Sequence, residues 1–208
     1  MTDRLTDPEA RVSAHYTIAE DGQVFRHVPE NERAWHAGVS HWRGETDMNG
    51  ASVGIEIANP GHELGYIAFP DAQMRSVISL CKEVLKRHPI PARNVIGHSD
   101  VAPMRKMDPG EKFPWQELAN EGIGVWPKEA GDKDFPVLGP MTSSPAVRTL
   151  QQDFEKYGFG LMVNGMYDAA TQAVVTAFQR HFRPKKVDGT ADAETQSLLQ
   201  VLLRQVDA

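Results

Sequence analysis

Apolar and polar residues first alternate near the N-terminus. Val12, Ala14, Tyr16 and Ile18 interleave with Ser13, His15 and Thr17, the period of two that a strand requires, so residues 11–19 are predicted as a strand with one apolar face. Asp21-Gly22 supplies a hairpin turn, and Gln23 to Val28 a return strand. Val53 to Asn59 repeats the alternation: Val53, Ile55 and Ile57 face one way, Gly54, Glu56 and Ala58 the other. Glu56 is thereby flanked on its own face by the two smallest side-chain positions of the strand, which predicts open space around its carboxylate. The period changes to three and four at Met74, Val77, Ile78, Cys81, Val84 and Leu85, predicting a helix over 71–88 between Pro70 and Pro89. That helix is expected on the apolar face of the 53–59 strand. Val95-Ile96-Gly97 is predicted as a further short strand that delivers His98, and Pro114 opens a short helix carrying Trp115 and Leu118.

From Glu121 to Ser143 the pattern dissolves into Gly, Pro and charged residues, which predicts a linker. Beyond it the sequence repeats itself. Val163-Asn-Gly-Met-Tyr-Asp-Ala-Ala-Thr-Gln172 returns as Val187-Asp-Gly-Thr-Ala-Asp-Ala-Glu-Thr-Gln196. In each copy a Gly turn leads to an Asp able to cap a following helix, at about 169–182 and 193–204. Ser144-Pro145 opens an earlier helix whose stripe is Val147, Leu150, Phe154 and Tyr157. The expected architecture is an α/β (α+β) domain over 1–122, with a central mixed sheet and covering helices. A linker at 123–143 and a small three-helix domain at 144–208 follow.

Composition narrows the function. The chain has 208 residues, 40% hydrophobic and 24% charged, with a net charge of −6 and no basic block, so a nucleic-acid groove is not expected. The one cysteine, Cys81, excludes an internal disulfide and a cysteine zinc cage, and its place on a helical stripe predicts an inert core thiol. No run approaches the ~18 apolar residues of a membrane helix. The polar N-terminus is not expected to act as a secretory signal. As written the chain has a cytoplasmic reading, with periplasm or cell envelope the alternative if its start is truncated. A monomer is expected.

The candidate chemistry lies on Glu56 and on the loop His98-Ser-Asp-Val-Ala-Pro-Met-Arg-Lys-Met-Asp108. His98 and Asp108 are donors of the kind zinc takes, and Lys106 stands two residues before the second of them. A strand carboxylate suits a general base beside metal-bound water, and a lysine suits an oxyanion. Each has an ordinary alternative: a residue at a strand end, a turn former before Pro109, a solvated sheet face, a surface charge.

Several stretches together resemble the zinc-dependent N-acetylmuramoyl-L-alanine amidases of the AmpD- and AmiD-like branch, relatives of the peptidoglycan recognition proteins. They are Val12-Ser-Ala-His-Tyr16, Ala34-Trp-His-Ala-Gly38, Ser52-Val-Gly-Ile-Glu-Ile57, Gly97-His-Ser-Asp100, Ala102-Pro103 and Arg105-Lys-Met-Asp-Pro-Gly110. Residues 144–205 are similar to the three-helix peptidoglycan-binding domain joined to some of these enzymes. The resemblance implies that His98 and Asp108 bind Zn2+, that Glu56 activates the water and that Lys106 stabilises the oxyanion. It further implies that Trp35 and His36 line the substrate groove. The implied substrate is peptidoglycan or a muropeptide, cut between N-acetylmuramic acid and L-alanine.

The family holds zinc with two histidines and an aspartate, and the first histidine lies on a strand before the Val12–Tyr16 motif. Residues 1–11 contain no histidine. The chain is therefore expected to lack that strand, and a noncatalytic peptidoglycan-binding or sensing protein is the alternative. His15 is read as a pocket-wall or hydrogen-bonded core residue. His27, His41, His62, His88 and His181 carry no motif and are read as surface or structural.

Overall fold

The computed structural model describes residues 12–128 and 134–206. Arg11 and the residues before it, where the upstream ligand was sought, lie outside the described residues. The chain divides into two compact units. One comprises Met1–Ser40 with Glu45–Ile90, the other His41–Gly44 with Pro91–Ala208.

The first unit is built on a sheet ordered β2-β1-β3, with β1 (Tyr16–Ile18), β2 (Val24–Arg26) and β3 (Ile55–Ile57). β1 pairs antiparallel with β2 and parallel with β3, so the sheet is mixed, as expected. The Asp21-Gly22 turn forms, with the Gln23 amide donating to Asp21 Oδ1 at 2.9 Å. Gly22 takes φ +90°, and an added Cβ there would lie 2.6 Å from the Ala72 carbonyl oxygen. Helix α1 (Met48–Ala51) precedes β3, and helix α2 (Asp71–Arg87) follows it. α2 packs against β1. Its buried Gln73 donates to the carbonyls of Ile18 and Ala58, at 3.1 and 2.8 Å, tying the ends of two strands together. Cys81 lies on this helix as predicted, and burial pushes its thiol up to about 11, which keeps it protonated and unreactive.

One expectation about β1 is corrected. The alternation predicts one apolar and one polar face, yet Ala14 to Ile18 are all buried. β1 is the central strand, and its polar face is roofed by hydrogen bonds. His27 Nε2 lies 2.9 Å from Thr17 Oγ1, and His15 is bonded through both ring nitrogens.

The second unit carries helices α3 (His98–Val101), α4 (Trp115–Asn120), α5 (Pro145–Tyr157), α6 (Ala169–Phe182) and α7 (Ala193–Val206). The caps read from the sequence are in place. Ser144, Asp168 and Asp192 accept from the amides of Val147, Thr171 and Thr195. The core is aromatic: Phe154 meets Phe159 and Phe178 edge-on, and Trp42 meets Tyr157 and Phe159.

The internal repeat is held by a repeated device. Gln151 Oε1 accepts from the amides of Asn164 and Gly165, while its Nε2 donates to Asn164 Oδ1, Met166 O and Thr171 Oγ1. Gln179 does the same for the second copy. It accepts from Asp188 and Gly189 and donates to Asp188 Oδ1, Thr190 O and Thr195 Oγ1. A single buried amide thus satisfies a turn that would otherwise strand its backbone groups.

The predicted strand at 95–98 is absent. Asp100 Oδ2 accepts from the Gly97 amide at 2.7 Å, and the chain turns into α3 at His98. The Gly97 amide is thus taken by a side-chain cap and not by a neighbouring strand.

Candidate active site

In the first unit Glu56 is the central residue of β3, paired with Thr17 of β1. The space predicted on its Gly54 side is filled. The His36 ring lies over Gly54, where an added Cβ would overlap it, with Nδ1 only 2.7 Å away. Gly54 is therefore a seat for His36, not an opening beside Glu56. His15, 1% exposed, accepts the Gly54 amide on Nδ1 at 2.9 Å. That acceptance puts the proton on Nε2, which donates to the Glu32 carbonyl at 3.1 Å. With both nitrogens used by backbone, His15 is the hydrogen-bonded core histidine that the sequence suggests.

Trp35 and His36 are set on this unit by backbone hydrogen bonds. The Ser13 amide donates to the Trp35 carbonyl, and the Trp35 amide to Ser13 Oγ, at 3.0 and 2.9 Å. Asn49 Oδ1 accepts the amides of both His36 and Ala37. Trp35 is 53% exposed, and the Arg33 guanidinium lies over its ring, 4.4 Å from the centroid, so a cation sits against one face of the indole while much of the residue stays open to solvent. A rigid, exposed indole suits stacking on a sugar or peptide plane.

In the second unit the segment His98–Asp108 closes on itself. The Ser99 amide donates to the Asp108 carbonyl at 2.9 Å, the Ala102 amide to that of His98 at 3.0 Å, and the Lys106 amide to that of Ala102 at 3.0 Å. These bonds bring the two ends together, and His98 Nδ1 lies 2.9 Å from Asp108 Oδ2. Their side chains are 17% and 57% exposed. Partial burial works to raise the Asp108 carboxyl. The hydrogen bond and charge of His98, with the charge of Lys106, outweigh it and leave the carboxyl below its ordinary value. Lys106 is half-buried. A cis peptide joins Asp108 to Pro109.

The donor pair fits zinc in kind: an imidazole nitrogen and a carboxylate oxygen, side by side and reachable from solvent. Among the described residues no group of three or more His, Cys, Asp or Glu is arranged to hold a metal ion. The predicted set thus appears as two groups, Glu56 with Trp35 and His36 on one unit, and His98, Lys106 and Asp108 on the other. Sequence reasoning gave no part to Asn49 or to Asp100, whose only signal was their place inside or beside a recognised motif.

Residues 1–111 match the N-acetylmuramoyl-L-alanine amidase family, and residues 143–199 match a peptidoglycan-binding domain. Over 214 aligned residues the chain is 40% identical to the N-acetylmuramoyl-L-alanine amidase AmiD of Escherichia coli, covering 97% of this chain and 76% of that protein. The structure of E. coli AmiD in complex with its substrate, anhydro-N-acetylmuramic acid-L-Ala-D-γ-Glu-L-Lys, superposes with TM-score 0.84 at 36% identity, covering 98% of this chain and 83% of the other. AmpDh3 of Pseudomonas aeruginosa in complex with anhydromuramic pentapeptide gives TM-score 0.86 at 34% identity, covering 98% and 86%. More than half of the sequence carries the amidase match, so the chain belongs to the N-acetylmuramoyl-L-alanine amidase family.

Proposed function

We propose that this chain hydrolyses the amide between the lactyl carbonyl of N-acetylmuramic acid and L-alanine, in cell-wall peptidoglycan or anhydro-muropeptides, with zinc at His98 and Asp108. The observation that carries the proposal is the juxtaposed His98 Nδ1 and Asp108 Oδ2, 2.9 Å apart, in a family of amidases. The likeness to two amidases solved with anhydromuramyl peptides supports the substrate class.

An amide is a weak electrophile, so its hydrolysis needs water activated and charge offset. When bound, zinc supplies a Lewis acid and lowers the pKa of its water. Glu56 takes the proton as the water oxygen bonds to the carbonyl carbon. The Lys106 ammonium offsets the negative charge that grows on the carbonyl oxygen. The C–N bond then breaks, and the proton held by Glu56 passes to the leaving alanine nitrogen, giving a muramate carboxylate and a peptide with a free L-Ala amine. Trp35 and His36 hold the sugar and stem peptide. The repeat module at 144–208 binds glycan or peptide of the wall. Retention of Glu56, Lys106, His98 and Asp108 together favours this reading over a noncatalytic binder, which has no use for the set.

The test is zinc content and release of L-Ala-headed peptide from the anhydro-tripeptide, measured for the parent, His98→Ala and Asp108→Asn. The parent is expected to take up zinc and release peptide, and both variants to lose metal and turnover together. A zinc-loaded parent that leaves the amide intact would overturn the proposal.

A further inference from the structure

Asp100 is 1% exposed and has a demanding position. Its Oδ2 accepts from the Gly97 amide at 2.7 Å and lies 2.8 Å from His181 Nδ1, while its Oδ1 is buried without a hydrogen-bond partner among the described residues. His181 belongs to α6, within the repeat module, and its side chain is 5% exposed. Its ring is stacked on Trp115 at 3.8 Å between centroids and on Phe182 at 3.9 Å. Trp115 also walls Gly97: an added Cβ there would lie 3.3 Å from the indole and 2.7 Å from Pro109 Cδ. α3 and α6 pack together. An imidazole held by two aromatic rings thus grips a carboxylate, that carboxylate grips the amide one residue before His98, and Pro109, one residue after Asp108, closes on the same glycine.

We propose that His181 is a positioning residue for the His98–Asp108 ligand loop, so that the repeat module is a working part of the hydrolytic site as well as a wall-binding element. The inference rests on the zinc reading of those two residues. His181 touches neither zinc nor substrate. It fixes Asp100, Asp100 fixes the start of α3, and α3 sets the direction of the His98 ring relative to Asp108. Loss of such supporting partners typically weakens metal binding ~10–100-fold. A purely structural His181 would lower thermal stability without changing the zinc affinity of the molecules that remain folded.

The experiment compares full-length parent, His98→Ala, His181→Ala and His181→Asn. Asparagine places an amide donor near the position of Nδ1. Zinc affinity is read by chelator competition well below each melting temperature, together with kcat and KM on the anhydro-tripeptide. The expected result is a ~10–100-fold loss of zinc affinity in His181→Ala, a fall in kcat with KM nearly unchanged, and substantial recovery in His181→Asn. Should His181→Ala fail to fold, His181→Gln, which moves the donor outward by one methylene, replaces it. If the parent binds zinc, His98→Ala loses it and the His181 variants match the parent, the positioning role is overturned while the zinc reading stands. If the parent binds no zinc, or His98→Ala binds it as the parent does, the zinc reading fails and takes this inference with it.

Discussion

Two buried histidines, one in each unit, brace the backbone just ahead of a proposed site residue. His15 accepts the amide of Gly54, two residues before Glu56. His181 holds Asp100, which accepts the amide of Gly97, one residue before His98. The difference lies in the partners. Among the described residues His15 is bonded to backbone groups, the Gly54 amide and the Glu32 carbonyl. His181 works through a buried carboxylate one of whose oxygens has no hydrogen-bond partner among the described residues. The first brace fixes a strand that the sheet also fixes. The second fixes a four-residue helix with little ladder of its own. The loop carrying the proposed metal donors therefore depends more on a distant side chain than the strand carrying the proposed base does.

That comparison is broken most severely at the second histidine. His181→Leu removes one of the two hydrogen-bonded partners of a buried carboxylate, and a loss of about 3 kcal/mol is expected in urea unfolding. A change within a few tenths would mean that Asp100 needs no such support. Next comes Gly54→Ala, which drives a methyl into the His36 ring and should destabilise by about 2 kcal/mol. Combining it with His36→Ala should recover much of that loss in a double-mutant cycle, and strictly additive losses would show that the ring is not what Gly54 accommodates. The smallest effect is expected for His15→Gln, at about 1 kcal/mol, since a glutamine can satisfy one of the two backbone groups. A larger loss than for His181→Leu would reverse the ranking of the two braces.

Much of the fold is legible in the pattern of residues. The helices at Asp71–Arg87, Pro145–Tyr157 and Ala169–Phe182 start and stop where stripes, prolines and capping side chains place them. The hairpin of β1 and β2 and the strand β3 follow from short alternating runs and a Gly turn. What could not be read depends on partners far along the chain. His15 and Gly54 are separated by 39 residues, Asp100 and His181 by 81, and no local period announces either pair. His181 carries no motif and reads as an ordinary structural histidine. Gly54 illustrates a different limit. A glycine beside a carboxylate reads as open space, whereas the structure uses it to seat an aromatic ring that arrives from 18 residues upstream. The strand expected to deliver His98 failed for the same reason in miniature, because Asp100 reaches back to cap Gly97 and bends the chain.

The proposed hydrolysis turns on Glu56 as the base in zinc-assisted cleavage of the muramoyl–L-alanine amide. The most direct measurement is the rate of release of L-Ala-headed peptide from the anhydro-tripeptide, by mass spectrometry, for zinc-supplemented parent and Glu56→Gln with metal content determined on both. Equal zinc in the two proteins and a rate ~10²–10⁴-fold lower in Glu56→Gln are expected. Turnover by Glu56→Gln at the parent's rate would contradict it.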